Sequence, residues 1–100
     1  MLANAAFFTV GPYRCDNVVV DAAVAKTNNP PAGAMRGFGV VQTCFASESQ
    51  MDLLAEELGM DPLELRRKNA LGSGDPMSTS GQMIEGSLPT REVIDAVEAI

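Results

Sequence analysis

The run Asn28-Asn29-Pro30-Pro31-Ala32-Gly33 constrains this chain more than any other feature. Proline locks its own φ, donates no backbone N–H and pushes the preceding residue out of the helical region, so neither helix nor central strand can cross this run. The 100 residues are therefore read as two stretches, one on each side of the break.

Ahead of it, Met1–Val10 is apolar and alanine-rich, with helical character that stops at the turn pair Gly11-Pro12. Asn17–Thr27 then alternates: Val18, Val20, Ala22 and Val24 fall on one face, and Val19, Asp21 and Ala23 on the other. That period of two predicts a strand. A lone strand leaves its own edges unpaired, so residues 17–27 need a neighbour. The neighbour is left to residues outside this chain or to a second copy, as in a homodimer.

Beyond the break, Gly37-Phe38-Gly39 opens a helix over about 40–58, with Val41, Cys44, Met51, Ala55 and Leu58 as its apolar stripe. Gly59 ends that helix in the left-handed position. Asp61-Pro62-Leu63-Glu64 starts the next, over 61–69, with Asp as N-cap and Pro at the first helical position. Arg66, Arg67 and Lys68 fall in its last turn, where cations meet the negative helix end and neighbouring Glu side chains. A loop rich in Gly, Ser and Thr follows from Leu71 to Ser87. A last helix over 90–100 is predicted to pack through Val93, Ile94, Val97 and Ile100. Its pattern is uninterrupted at Ile100, as in a piece of something longer. The expected fold class is α+β: one main strand at 17–27 and three helices at 40–58, 61–69 and 90–100, as a fragment of a larger domain.

Charge and composition remove whole classes of function. Thirteen acidic and seven basic residues give a net charge of −6, which argues against a nucleic-acid binder. Residues 1–50 are balanced at three against three, so the second half carries the whole excess. No apolar run approaches the ~20 residues of a membrane span, and Met1–Phe8 does not read as a signal peptide. The chain has no histidine, which excludes Ser-His-Asp and Cys-His arrangements and histidine metal sites. Two cysteines, Cys15 and Cys44, cannot supply a four-thiolate site. They fit free thiols in a reducing, cytoplasmic setting. No metal site is expected in this segment.

The chemistry-bearing stretch is Lys26 to Gly39. Glycines on both sides of Phe38 let the backbone come close to a ligand, and amides at a helix start attract an anion. The spacing matches neither a phosphate-binding P-loop nor a dinucleotide fingerprint. On composition alone, a plain architectural loop accounts for it.

The run Ala34-Met35-Arg36-Gly37-Phe38-Gly39, preceded by Thr27-Asn28 and followed by Gln42, resembles the molybdenum hydroxylases. This is the xanthine dehydrogenase and aldehyde oxidase family, in its molybdopterin-binding subunit or domain. Gly11-Pro12-Tyr13, Glu48, Asp52, the stretch from Gly59 to Asn69 and Ser80-Gly81-Gln82 are similar to family segments in the same order. The resemblance implies that residues 1–100 are one segment of such a domain. It implies that Arg36, Gly37 and Gly39 contact the cofactor, Arg36 largely through main chain, and that Phe38 lies over an aromatic substrate. Asn4 falls where xanthine oxidisers carry an Arg, and its lack of charge argues against xanthine itself. No residue matches the family's glutamate base, so no catalytic residue is expected here.

The implied activity is hydroxylation of a purine-like N-heterocycle or an aldehyde by a molybdenum–molybdopterin enzyme. Its iron–sulfur and FAD groups belong to partner domains or subunits, and none of these cofactors is expected on the isolated chain. Its partners are the rest of the molybdopterin subunit, the iron–sulfur and flavin subunits and a small-molecule substrate. The rival reading is a small acidic helical interaction domain. Glu48, inside an apolar stripe, is expected to be ion-paired with Arg36 or Arg14 rather than to act as a base. Cys44 is expected in the core.

Overall fold

The computed structural model describes residues 2–31 and 33–100. Met1 of the expected N-terminal helix and Ala32 of the proline-rich break lie outside the described residues. Four helices follow in order: α1 (Leu2–Phe7), α2 (Val40–Leu58), α3 (Pro62–Asn69) and α4 (Thr90–Glu98). Helix α1 packs on α2, α2 on α3, and α3 on α4.

Each boundary has a local cause. At the end of α2, Gly59 sits at φ 61°. There its N–H donates to the Glu56 carbonyl at 3.1 Å, while that of Met60 reaches Ala55 at 2.9 Å. These paired bonds satisfy carbonyls that a helix end otherwise leaves bare. Just beyond, the Asp61 carboxylate accepts from the Leu63 and Glu64 amides at 2.9 and 3.0 Å. So two adjacent devices, a left-handed stop and an acidic start, fold α2 and α3 into a hairpin. Gly11, at φ 72°, turns the chain after α1.

Among the described residues there is no strand, which overturns the expected α+β fold with a main strand at 17–27. Residues 18–27 have no regular secondary structure, and nearly all are exposed, with Val19 98% and Val24 76% accessible. Alternation sets which face of a strand is apolar, but a strand exists only where a neighbour completes its ladder. Here the described residues offer none. The pairing that does form is two isolated antiparallel bridges, Tyr13 with Ala70 and Pro76 with Met83.

The first bridge centres the molecule. Arg14 donates its N–H to Asn69 at 2.7 Å, and Leu71 donates to Pro12 at 2.9 Å. Ser78 closes the same region, donating its hydroxyl to the Tyr13 carbonyl at 2.8 Å and accepting from the Cys15 amide at 2.9 Å. The buried core is small: Tyr13, Ala55, Leu65, Ala70 and Leu71. Of the stripe expected on α2 only Ala55 is buried; Val41, Cys44 and Leu58 are exposed, and Met51 is half-buried. Likewise Val93, Val97 and Ile100 at the C-terminal end face solvent instead of the core.

The accessible surface is 7500 Å². A folded monomer of this mass exposes about 5,400 Å². The radius of gyration is 15.3 Å, against about 13 Å for a compact 100-residue domain. The hydrophobic pattern was thus written for more burial than these residues provide to one another.

Candidate functional site

The turn before α2 carries the most unusual backbone in the molecule. Gly37, Phe38 and Gly39 all have positive φ, at 95°, 48° and 98°. Phe38 is the only non-glycine residue with positive φ among those described, and for a bulky side chain that conformation is strained. Two hydrogen bonds hold it: Phe38 N–H to Met35 at 2.8 Å and Val40 N–H to Gly37 at 3.0 Å. The Thr43 hydroxyl stitches the first turn of α2 to it, donating to the carbonyls of Gly39 and Val40. A Cβ on Gly37 would lie 2.8 Å from Val41 Cγ2, so no side chain fits there without a shift.

These constraints bring Arg36, Gly37, Phe38 and Gly39 into one turn, with the Phe38 side chain half accessible. Arg36 makes no ion pair among the described residues, and the Gly39, Val41 and Gln42 amides meet no protein acceptor among them. Asn4 lies exposed on α1, and no hydrogen bond joins it to the turn among the described residues.

A second cluster ties the scaffold together. The buried Tyr13 donates its hydroxyl to both Glu48 oxygens, at 2.8 and 2.9 Å. Arg66 donates Nε to Glu48 Oε2 at 2.8 Å and a terminal N–H to the Glu48 carbonyl at 3.0 Å, and pairs with Asp52 at 2.8 Å. Burial pushes the Tyr13 phenol well above its ordinary range, and the hydrogen bond to Glu48 and that carboxylate's charge add to the effect. For Arg66, burial works against the charge, but the bonds to Glu48 and Asp52 outweigh it and hold the guanidinium above its usual value.

Glu48 is therefore ion-paired, as its place in an apolar stripe implies, but with Arg66 and not with Arg36 or Arg14. Both its oxygens accept hydrogen bonds, so it anchors α3 to α2. The partner was legible in the spacing: Asp52 and Arg66 stand seven residues either side of Gly59, and an antiparallel hairpin turning there brings them opposite. Arg67 bridges Asp95 (2.7 Å) and Glu98 on α4, and Lys68 pairs with Glu64 at 3.0 Å. Cys44, expected in the core, is exposed at the rim of an apolar hollow of about 280 Å³ between α2 and the 71–88 loop. No group of three His, Cys, Asp or Glu is placed to hold a metal ion among the described residues.

Among the described residues, then, the turn offers an arginine and amides that meet no protein partner, donors of the kind an anion takes. Residues 1–70 match the model of the molybdopterin cofactor-binding domain, and the chain belongs to that family. It is 43% identical over 95 residues to the nicotinate dehydrogenase large molybdopterin subunit of Eubacterium barkeri, covering 95% of this chain and 22% of that protein. It is 46% identical over 88 residues to the aldehyde oxidoreductase of Megalodesulfovibrio gigas, covering 88% of this chain and 10% of that protein. Over 59 residues, 59% of this chain and 8% of that protein, it is 52% identical to a probable xanthine dehydrogenase subunit of Bacillus subtilis. The chain thus spans less than a quarter of the length of these relatives. Membership in this family displaces the reading as a free-standing acidic interaction domain.

The donor set fits an anionic pterin cofactor at one place. Backbone amides and a guanidinium are what phosphate and oxo groups take. The net charge of −6 on this segment works against an anion.

Proposed function

We propose that this chain is the segment of a molybdenum-cofactor-dependent oxidoreductase that forms one edge of the cofactor site and one wall of the substrate site. In this reading Arg36, Gly37 and Gly39 hold the molybdopterin, and Phe38 and Asn4 meet the substrate, a purine-like N-heterocycle or an aldehyde. The relatives' names, nicotinate dehydrogenase and aldehyde oxidoreductase, support an N-heterocycle and an aldehyde as substrate classes. When bound, the cofactor supplies the oxygen-transfer and redox chemistry of the hydroxylation.

This chain's own part is positioning. Three successive positive-φ residues turn the main chain at the start of α2, and in this reading the Gly39 amide, which meets no acceptor among the described residues, faces the cofactor. The strained Phe38 presents a half-exposed ring beside them, and a ring stacked on a planar heterocycle contributes about 0.5–1.5 kcal/mol beyond area burial. Asn4 offers an amide N–H in place of a cation and suits a neutral substrate edge. The single observation that carries the reading is the Gly37-Phe38-Gly39 turn, a costly conformation whose ring is left half exposed.

The partners in this reading are the remainder of the molybdopterin subunit and iron–sulfur and flavin subunits, working in the cytoplasm. Among the described residues no helix is long and apolar enough to cross a membrane. The test is Phe38→Ala in the full-length subunit. Turnover of aromatic heterocycles should fall at least tenfold with molybdenum content unchanged. Equal turnover by the variant would refute the assignment of Phe38.

A further inference from the structure

Helix α1 is six residues long, and none of its side chains is fully buried among the described residues. A helix that short is not stable by itself in water, so its place depends on what grips it. The grip is polar and falls on its outgoing end. There the carbonyls of Asn4, Ala6 and Phe8 accept from nearby amides, those of Phe8, Thr9 and Gly11. The carbonyls of Phe7 and Thr9 are taken instead by side chains from distant parts of the chain. Ser47, in the middle of α2, donates its hydroxyl to the Thr9 carbonyl at 2.5 Å across 38 residues of sequence. Thr79, in the 71–88 loop, donates to the Phe7 carbonyl at 2.6 Å across 72. Ser47 follows Thr43 by four residues and Gly39 by eight, so all three share one face of α2. Its oxygen also lies 2.7 Å from the Thr43 carbonyl, but a hydroxyl has one proton, and the shorter contact is the one to Thr9.

We infer that Ser47 is a positioning residue for the substrate site, setting α1 and the Asn4 it carries against the helix whose first turn follows Phe38. The inference rests on the proposed reading of Asn4 and Phe38 as substrate contacts. Those two residues stand on different elements, so the site keeps its shape only if α1 and α2 keep one relative placement. The Tyr13–Glu48 link grips the chain beyond Gly11, past the turn that follows α1. Between residues 2–10 and α2, the bond from Ser47 to Thr9 is the one side-chain hydrogen bond among the described residues. Thr79 holds the same end from the loop, so losing Ser47 loosens α1 rather than releasing it. Ser47 also lines the apolar hollow of about 280 Å³ beside α2, where an alanine would pack as well as a serine and a threonine methyl has room. A hydroxyl in such a lining is costly unless it is hydrogen-bonded, which leaves the bond to Thr9 as its contribution.

The test uses the full-length holoenzyme bearing Ser47→Ala, Ser47→Thr, Asn4→Ala or Asn4→Ala with Ser47→Ala, and purine and benzaldehyde as probes of the two substrate classes. Molybdenum content, measured first, should equal that of wild type in every variant. Ser47→Ala should raise KM at least fivefold with kcat within twofold, the mark of lost binding rather than lost chemistry. Ser47→Thr should restore the wild-type KM. In the Asn4→Ala background Ser47→Ala should add nothing, because the two act through one contact. Hydrogen exchange over residues 4–11 should quicken at least fivefold in Ser47→Ala, with residues 50–58 unchanged. Unchanged exchange, lost molybdenum, an unchanged KM in Ser47→Ala, or an effect fully additive with that of Asn4→Ala overturns the inference while the reading of Asn4 stands. An unchanged KM in Asn4→Ala, or a wild type inactive on both probes, removes the reading of the site and the inference with it.

Discussion

The Tyr13 hydroxyl and the Glu48 carboxylate are joined by paired contacts of 2.8 and 2.9 Å across 35 residues of sequence. They fasten the chain after α1 to the middle of α2, and Arg66 extends the link to α3. Three elements that share few buried apolar side chains are thus held together by one partly buried polar network. Such networks are costly to break from one side only.

Removing the carboxylate should therefore cost more than removing the phenol. Glu48→Ala leaves the Tyr13 hydroxyl and the Arg66 guanidinium short of a partner, and about 2–3 kcal/mol of stability should be lost. Tyr13→Phe deletes a single donor and should cost about 1 kcal/mol. Urea unfolding of the two variants in parallel reads the order directly, and a costlier phenol would contradict it.

The phenol itself is a reporter. Tyr13 is the only tyrosine and the chain has no tryptophan, so absorbance near 295 nm follows this one group. Its folded pKa is raised above the unfolded value of about 10. The folded state therefore holds its proton more tightly, and this group's contribution is fully present below pH ~10 and is lost as pH rises above it. A titration of the chain should show the phenolate appearing well above pH 10, and at lower pH in Glu48→Gln. A midpoint at the ordinary value in the folded protein would mean that the network is not formed.

The α2–α3 hairpin depends on its two end devices. Asp61→Ala removes the acceptor for two amides and should destabilise α3 by about 1 kcal/mol. Gly59→Ala meets no steric obstacle, yet forces a Cβ into φ 61°, for a cost of about 1 kcal/mol. Hydrogen exchange over residues 55–69 should quicken in both variants, and unchanged protection would count against the caps.

How far the sequence reveals this molecule depends on the range of each signal. The ends of α2 and α3 were readable because Gly59, Asp61 and Pro62 act within one turn of chain. The resemblance of residues 34–39 to the molybdenum hydroxylases was readable for the same reason. What went wrong was long-range. The alternation at 17–27 predicted a strand, and the described residues supply no neighbour for it. The stripes on α2 and α4 predicted a core, and most of both faces solvent because no other described element packs on them. Glu48 was rightly read as paired, but choosing Arg66 over Arg36 required the hairpin register and not the residue types.

In the proposed function the Gly37-Phe38-Gly39 turn is part of a molybdopterin site. It is tested most directly by molybdenum and pterin content of the full-length subunit carrying Gly37→Ala, beside wild type and Gly59→Ala. A Cβ at position 37 meets Val41 at 2.8 Å in a backbone at φ 95°, so the turn must deform, whereas Gly59 lies at the far end of α2. Molybdenum should be near one per subunit in wild type and Gly59→Ala, with at least a fivefold loss of both metal and pterin in Gly37→Ala. Full cofactor content in a folded Gly37→Ala subunit would contradict it.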